Sequence, residues 1–326
     1  MSPTTAFTRA LLWLAAAALA TTTATAAAYP DKTVKIVVAG PPAGGGDFIA
    51  RLLADRLTHV WKQPVVVENR AGASGIIGTK YVLQAPPDGY TLIMGHSATH
   101  AIVPALHQPP PYDAVADFEP VSLLATATDL LIVPADSPIK SVADLLAEAK
   151  AHPGSVTYGT PGVGLAQHLL GQRLGQLAGV QLTPVPYRGS GPALNDLVGK
   201  QITSMVVTSP AVMPFIKDGR VRALAVSSPK RMPALPNVPT FAELGMPELT
   251  QQGWFGIFAP AGTPSDIVEQ IGAALTKLMA TPDIRSRIEA QFADPVGDTP
   301  QQFAAFQRQE VRKWTALIKQ TGIKAE

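Results

Sequence analysis

Three glycine-rich segments of this chain have the composition to hold an anion without a charged side chain. The first, Ala39-Gly40-Pro41-Pro42-Ala43-Gly44-Gly45-Gly46-Asp47, lies between a β-branched run and an amphipathic stretch. Three consecutive glycines there bring backbone N–H groups to a helix N-terminus, where the amides and the helix dipole favour negative charge. The competing reading is a tight turn with Asp47 as helix cap, and the loop alone weighs equally for both. It is not a dinucleotide fingerprint, because Ile49 stands where the third glycine belongs, and it lacks the lysine of a P-loop. A small carboxylate fits it better than a nucleotide.

The second segment, Gly159-Thr160-Pro161-Gly162-Val163-Gly164-Leu165, follows a strand signal ending at Tyr158 and precedes a helical stretch containing His168. Ligands of open α/β sheets sit outside the carboxyl ends of strands, so this loop is placed for binding and could face the first across a cleft. Thr160 offers a hydroxyl as well as an amide. His168, alone at the start of a helix, fits a structural hydrogen-bond partner better than a ligand contact. The third segment, Pro186-Tyr187-Arg188-Gly189-Ser190-Gly191-Pro192, holds Arg188, whose guanidinium could pair with a carboxylate or simply sit solvated on the surface.

Catalytic constellations are not legible. The sequence has no Gly-x-Ser-x-Gly elbow, His-Glu-x-x-His or Walker motif, and its histidines do not cluster with acids. His96 and His100 have helical i,i+4 spacing but no third metal ligand close by. Trp254, Phe255 and Phe258 read as core aromatics rather than a stacking platform. No catalytic residue, metal or cofactor is expected.

The elements that must position these loops alternate between short β-branched runs and amphipathic stretches, the mark of parallel sheets covered by helices. Residues 33–38 read as a buried strand, and residues 47–59 as a helix whose Ile49, Leu52, Leu53 and Leu57 share a face. Strands are expected at 65–68 and 91–94 with a helix over 75–84 between them. After a strand at 130–133, Ser141 and Asp144 announce a capped helix. Further strand–helix pairs fall at 156–158, 182–185, 205–207 and 223–226, a second βα series that stops near a polar, proline-rich segment over 227–239. Residues 254–259 read as a returning strand, with a mainly helical tail over 264–321 whose Pro264, Pro282 and Pro300 suit first helical positions. Two βα series and a return segment predict a discontinuous first lobe, residues 29–130 plus 246–326, and an inserted second lobe, residues 131–245.

Residues 1–28 have the layout of a secretory signal peptide: Arg9, an apolar run over 11–20, and the small residues Ala26-Ala27-Ala28 as a cleavage site. The apolar run is about half of what a spanning helix needs. Removing residues 1–28, whose only charged side chain is Arg9, lowers the formal net charge from +2 to +1. No basic run marks a nucleic-acid surface, so no nucleic-acid partner is expected. The absence of cysteine removes thiolate chemistry and disulfides together.

Taken together, the segments resemble the tripartite tricarboxylate transporter receptor family, also called Bug receptors, which are periplasmic type II solute-binding proteins. The resemblance rests on Val37-Val38-Ala39-Gly40-Pro41-Pro42-Ala43-Gly44-Gly45-Gly46-Asp47, on Val65-Val66-Val67-Glu68-Asn69-Arg70-Ala71-Gly72-Ala73-Ser74-Gly75 and on Pro86-Pro87-Asp88-Gly89-Tyr90-Thr91-Leu92. It continues through Val185-Pro186-Tyr187-Arg188-Gly189, Leu235-Pro236-Asn237-Val238-Pro239-Thr240 and Ala259-Pro260-Ala261-Gly262-Thr263-Pro264. It implies a two-lobed α/β Venus-flytrap hinged by two crossover strands, working as a monomer in the periplasm and delivering a solute to a membrane permease. It also implies that Ala43, Gly44, Gly45, Gly46 and Asp47 form one jaw on a solute carboxylate, and Thr160, Gly162, Val163, Gly164 and Leu165 the other. His168 matches a position the family usually keeps.

The chain departs from the family pattern at Gly40, Gly46, Leu165 and Val207, where an aromatic, a threonine, a hydroxyl residue and an acidic residue respectively are common. Each change removes bulk or polarity. An amino-acid ligand, whose ammonium needs a carboxylate partner, is therefore disfavoured against a dicarboxylate, a tricarboxylate or, in particular, an aromatic acid. The expectation is a binding receptor, not an enzyme. The other readings are an exported receptor that signals to a membrane sensor and an exported enzyme acting on a carboxylate.

Overall fold

The computed structural model describes residues 29–42 and 44–321. The chain divides into two compact units, the first ending at Asp31 and the second beginning at Lys32, and everything below concerns the second. The expected signal peptide and its cleavage site at Ala28 lie outside the described residues, as does Ala43.

The first series begins with β1 (Val34–Val38), helix α1 (Gly45–Trp61), β2 (Val65–Asn69), α2 (Ile76–Leu83) and β3 (Thr91–His96). Strand β1 pairs in parallel with β2 on one side and β3 on the other, which is why all but one of its residues are buried and the run reads as continuously apolar. Helix α1 buries Ile49, Leu52, Leu53 and Leu57 as their spacing predicts. It starts two residues earlier than its periodicity indicates, so Gly45 and Gly46 belong to its first turn rather than to the loop. His96 ends β3 while His100 lies in the π-helical turn Ala98–Ile102, so the two do not share a helix face. A short helix, α3 (Val103–Leu106), follows that turn.

Strand β4 (Phe118–Pro134) is far longer than the 130–133 segment the sequence marks. Its first part pairs with the returning strand β9 (Gln252–Pro260), down to Thr128 opposite Gln252. From Asp129 onward it pairs instead with β7 (Ser204–Thr208) and β8 (Val221–Val226). Pro120, Ser122, Thr126 and Asp129 interrupt its apolar pattern, which hides a strand whose backbone is sealed by pairing on both edges.

The second series is α4 (Val142–Ala151), β5 (Thr157–Thr160), α5 (Ala166–Ala178), β6 (Thr183–Pro186), α6 (Ser190–Val198), β7, α7 (Ser209–Lys217) and β8. The Ser141–Asp144 capping box at the head of α4 forms as predicted. After β9 come α8 (Ser265–Met279), α9 (Pro282–Glu289), the short β10 (Asp294–Pro295) and α10 (Pro300–Thr321). Pro282 and Pro300 open their helices, whereas Pro264 caps α8 from outside it. The strand order β2-β1-β3-β9-β4-β7-β5-β6 runs both series into one path through β4, with β8 and β10 also pairing to it. Among the described residues no helix is long and apolar enough to cross a membrane.

Separate apolar clusters back the two series, one around Ile93, Trp254, Phe258 and Trp314 and another around Leu131, Tyr158, Leu174 and Phe241. At their meeting point Asp129 is fully buried, and its carboxylate accepts from Gln167 Nε2 at 2.6 Å and Gln251 Nε2 at 3.0 Å. The same Gln251 amide reaches the Ala166 carbonyl, so one network joins β4, the head of α5 and the approach to β9. Burial raises the Asp129 pKa from 3.8 to about 6, against the opposing pull of the two glutamine amides. A folded-state value above the unfolded one favours folding at acid pH, and that contribution is lost as pH rises from 3.8 through about 6. We expect Asp129→Asn to flatten this part of the stability–pH profile, removing a difference on the order of 3 kcal/mol between acid and neutral pH, at about 1.4 kcal/mol per pH unit. Urea unfolding at pH 4.5 and 7 checks it; an unchanged pH difference in the variant refutes the assignment.

Candidate ligand-binding site

The first glycine loop is pinned by its own aspartate. The Asp47 side chain is 4 % exposed, and both its oxygens accept from Arg51 Nε at 3.0 Å. Asn69 Nδ2 donates to Asp47 at 2.9 Å and to the Gly40 carbonyl at 3.3 Å, tying the loop to the end of β2. The carboxylate is thus committed to the scaffold, and only the backbone of Asp47 can serve a ligand. Gly44 caps α1 with no side chain of its own, which leaves the Gly45 and Gly46 amides at the open end of a 17-residue helix.

That end opens on a cavity of about 410 Å³. Pro41, Pro42, Gly44 and Gly45 line one wall of it, and Ser190, Thr208, Pro210 and Ala211 line another. Residues of the first βα series thereby meet the strand–helix junctions of the second. Ala127, on the stretch of β4 just before its change of partners, and Ile288, Gln291 and Ala293 complete the enclosure. Thr208, the last residue of β7, faces the cavity in place of Val207, which is 0 % exposed and packs with Leu130 and Ile132. Parity explains the miss: adjacent strand residues point to opposite faces, so one position decides between core and cavity.

Phe255 is a second correction. Trp254 and Phe258 are core residues at 1 % and 0 % exposure, as expected, but Phe255 between them lines the cavity. A Cβ on Gly45 would stand 3.1 Å from its ring and one on Gly46 3.4 Å, so the glycines leave the space the phenyl ring occupies. The alternation along β9 carried this signal.

The second glycine loop lies elsewhere. Pro161, Gly162, Val163, Gly164 and Leu165 line a separate cavity of about 510 Å³, opposite Ala73, Ser74, Val103, Leu106 and His107. The expected face-to-face pair of loops is therefore not what this conformation presents: each loop has its own cavity. The reason His168 fits a structural role is also visible, since its Nδ1 accepts the Gly164 N–H at 2.9 Å. That amide is consequently engaged within the loop. Thr160 is 0 % exposed and donates its hydroxyl to the Gly162 carbonyl at 3.1 Å, so its side chain shapes the turn. Leu165 caps α5 without a side-chain hydrogen bond. Arg188 is exposed and lines neither cavity.

Ala73 and Ser74 were not singled out from the sequence as site residues. Both adopt positive φ, 46° and 53°, between Gly72 and Gly75, which do the same. Backbone strain of this kind concentrates at functional positions. The glycines bracketing the pair after a strand were the available clue. His96 is pushed down to about 4 by burial, so it stays neutral at physiological pH.

Comparison with known proteins places this arrangement. A family model described as tripartite tricarboxylate transporter family receptor matches residues 49–323. Protein BugT of Bordetella pertussis is 36 % identical over 297 residues, covering 91 % of both chains. Among solved structures, R. palustris Rpa4515 with adipate superposes with a TM-score of 0.83 at 35 % identity, covering 91 % of this chain and 99 % of its own. MatC from Rhodopseudomonas palustris with bound malate gives a TM-score of 0.79 at 32 % identity, covering 89 % and 100 %.

Proposed function

Because the chain belongs to the tripartite tricarboxylate transporter receptor family, whose fold is the two-lobed α/β binding protein, we propose that it is an exported, periplasmic receptor that captures a small organic carboxylate and hands it to a membrane permease. The observation that carries this reading is the 410 Å³ cavity at which the open end of α1 meets the ends of β7 and the head of α6. A carboxylate there would accept from the first-turn amides of α1, with the Ser190 and Thr208 side chains within its walls. The solved relatives with adipate and malate support a carboxylate as the solute class.

The lobes divide near the change of partners in β4, as residues 29–130 with 246–326 and residues 131–245. Solute bridging them biases an open–closed equilibrium by the contacts it makes only in the closed state. That closure would bring loop 161–165 onto the solute as the second jaw. Binding with closure needs no covalent step, and the protein is read as a receptor and not an enzyme.

A thermal-shift screen of the purified protein against adipate, malate, citrate, benzoate and aspartate tests this. A ligand of the folded state at a hundredfold excess over its Kd adds about 2.7 kcal/mol of stability, a rise of several degrees in Tm. At least one carboxylate is expected to give that rise and to be recovered chemically unchanged. No shift with any of them, or turnover of the acid that binds, rejects the proposal.

A further inference from the structure

The cavity under the first glycine loop is chemically one-sided. Phe48, Ile49, Phe255 and Ile288 are among its walls, Ser190, Thr208 and Gln291 supply its polar side chains, and none of its described lining residues carries a formal charge. The Phe255 ring lies against Gly45 and Gly46, so an aromatic surface sits directly beside the first-turn amides of α1. At the head of α7 Thr208, Pro210 and Ala211 face the cavity, and of these Pro210 has no N–H to offer. The neighbouring Ser209 hydroxyl is committed to the Phe292 carbonyl at 2.7 Å.

These features set the chemistry of the occupant. One carboxylate has donors at the α1 end of a helix dipole. A second carboxylate would meet only the neutral groups of Ser190, Thr208 and Gln291 with no cation to pair it, and an ammonium group would find no acid. A flat apolar body instead meets matching surface, since aromatic rings pack favourably edge to face or offset on one another. Resting on the receptor reading above and narrowing it, we infer that the solute is an aromatic monocarboxylate, its carboxylate on the α1 amides and its ring against Phe48 and Phe255.

Isothermal titration of the purified protein with benzoate, benzamide, adipate and aspartate decides the matter. Benzoate is expected to bind at least about tenfold more tightly than adipate or aspartate, and benzamide about tenfold more weakly than benzoate. Phe48→Ala should weaken benzoate by about tenfold while adipate changes little. Ala211→Lys, which places a cation at the half-buried cavity wall, should shift the adipate-to-benzoate preference by at least about tenfold toward adipate. Adipate or aspartate binding as tightly as benzoate, or tighter, overturns this inference and leaves the receptor reading standing. Failure of every carboxylate to bind overturns both.

Discussion

Replacing Gly45 with leucine should abolish carboxylate binding, by a factor of at least about a hundred, while the protein stays as stable as its parent. Gly45 is exposed at the wall of the 410 Å³ cavity, and its Cβ would already stand 3.1 Å from the Phe255 ring. A leucine side chain must therefore either occupy the solute's space or drive Phe255 into it. The backbone gives no counterweight, because Gly45 begins α1 and is not among the positive-φ residues. Gly164 cannot serve the same test. It has φ +72° and a Cβ there would meet Leu106 Cδ1 at 2.7 Å, so substitution strains the fold whatever it does to a ligand. Titration with the carboxylate that most stabilises the parent reads the result; an affinity within threefold of the parent would remove the α1 end from the site.

The largest stability loss is expected from Glu310→Ala, about 2–5 kcal/mol. Glu310 is 7 % exposed, and its Oε2 accepts the indole N–H groups of Trp254 at 3.2 Å and Trp314 at 3.1 Å. Both rings are buried to within 1 %. Truncation strands two donors in the core at about 1–3 kcal/mol each, offset where water reaches the vacated space. Glu310→Gln keeps an acceptor oxygen in place and should cost less than half as much. Urea unfolding followed by tryptophan emission measures both, and equal losses for the two variants would show that packing, not the shared acceptor, matters.

The fold was largely legible. β-branched runs are long enough to be strands, and the spacing of Ile49, Leu52, Leu53 and Leu57 admits only a helix face. The capping box at Ser141 and Asp144 and the glycine loops after β1 and β5 are local devices whose chemistry is written in consecutive residues. β4 was only partly legible, since pairing with strands remote in sequence decides its length and local composition does not.

The site divides along the same line. By itself the sequence determined which backbone could hold an anion, because glycines at a helix start act through amides that every residue carries and that no distant side chain must complete. It also determined the family. Only the tertiary structure decided which of those amides remain available, since the Gly164 N–H is taken by His168 and the Asp47 carboxylate by Arg51 and Asn69. It alone placed Phe255, Thr208 and Ser190 around the first loop and put the second loop against Ser74 and His107. Those neighbours come from strands and turns far apart in the chain, and a cavity is a property of the surfaces they bring together, which no local pattern of residues encodes.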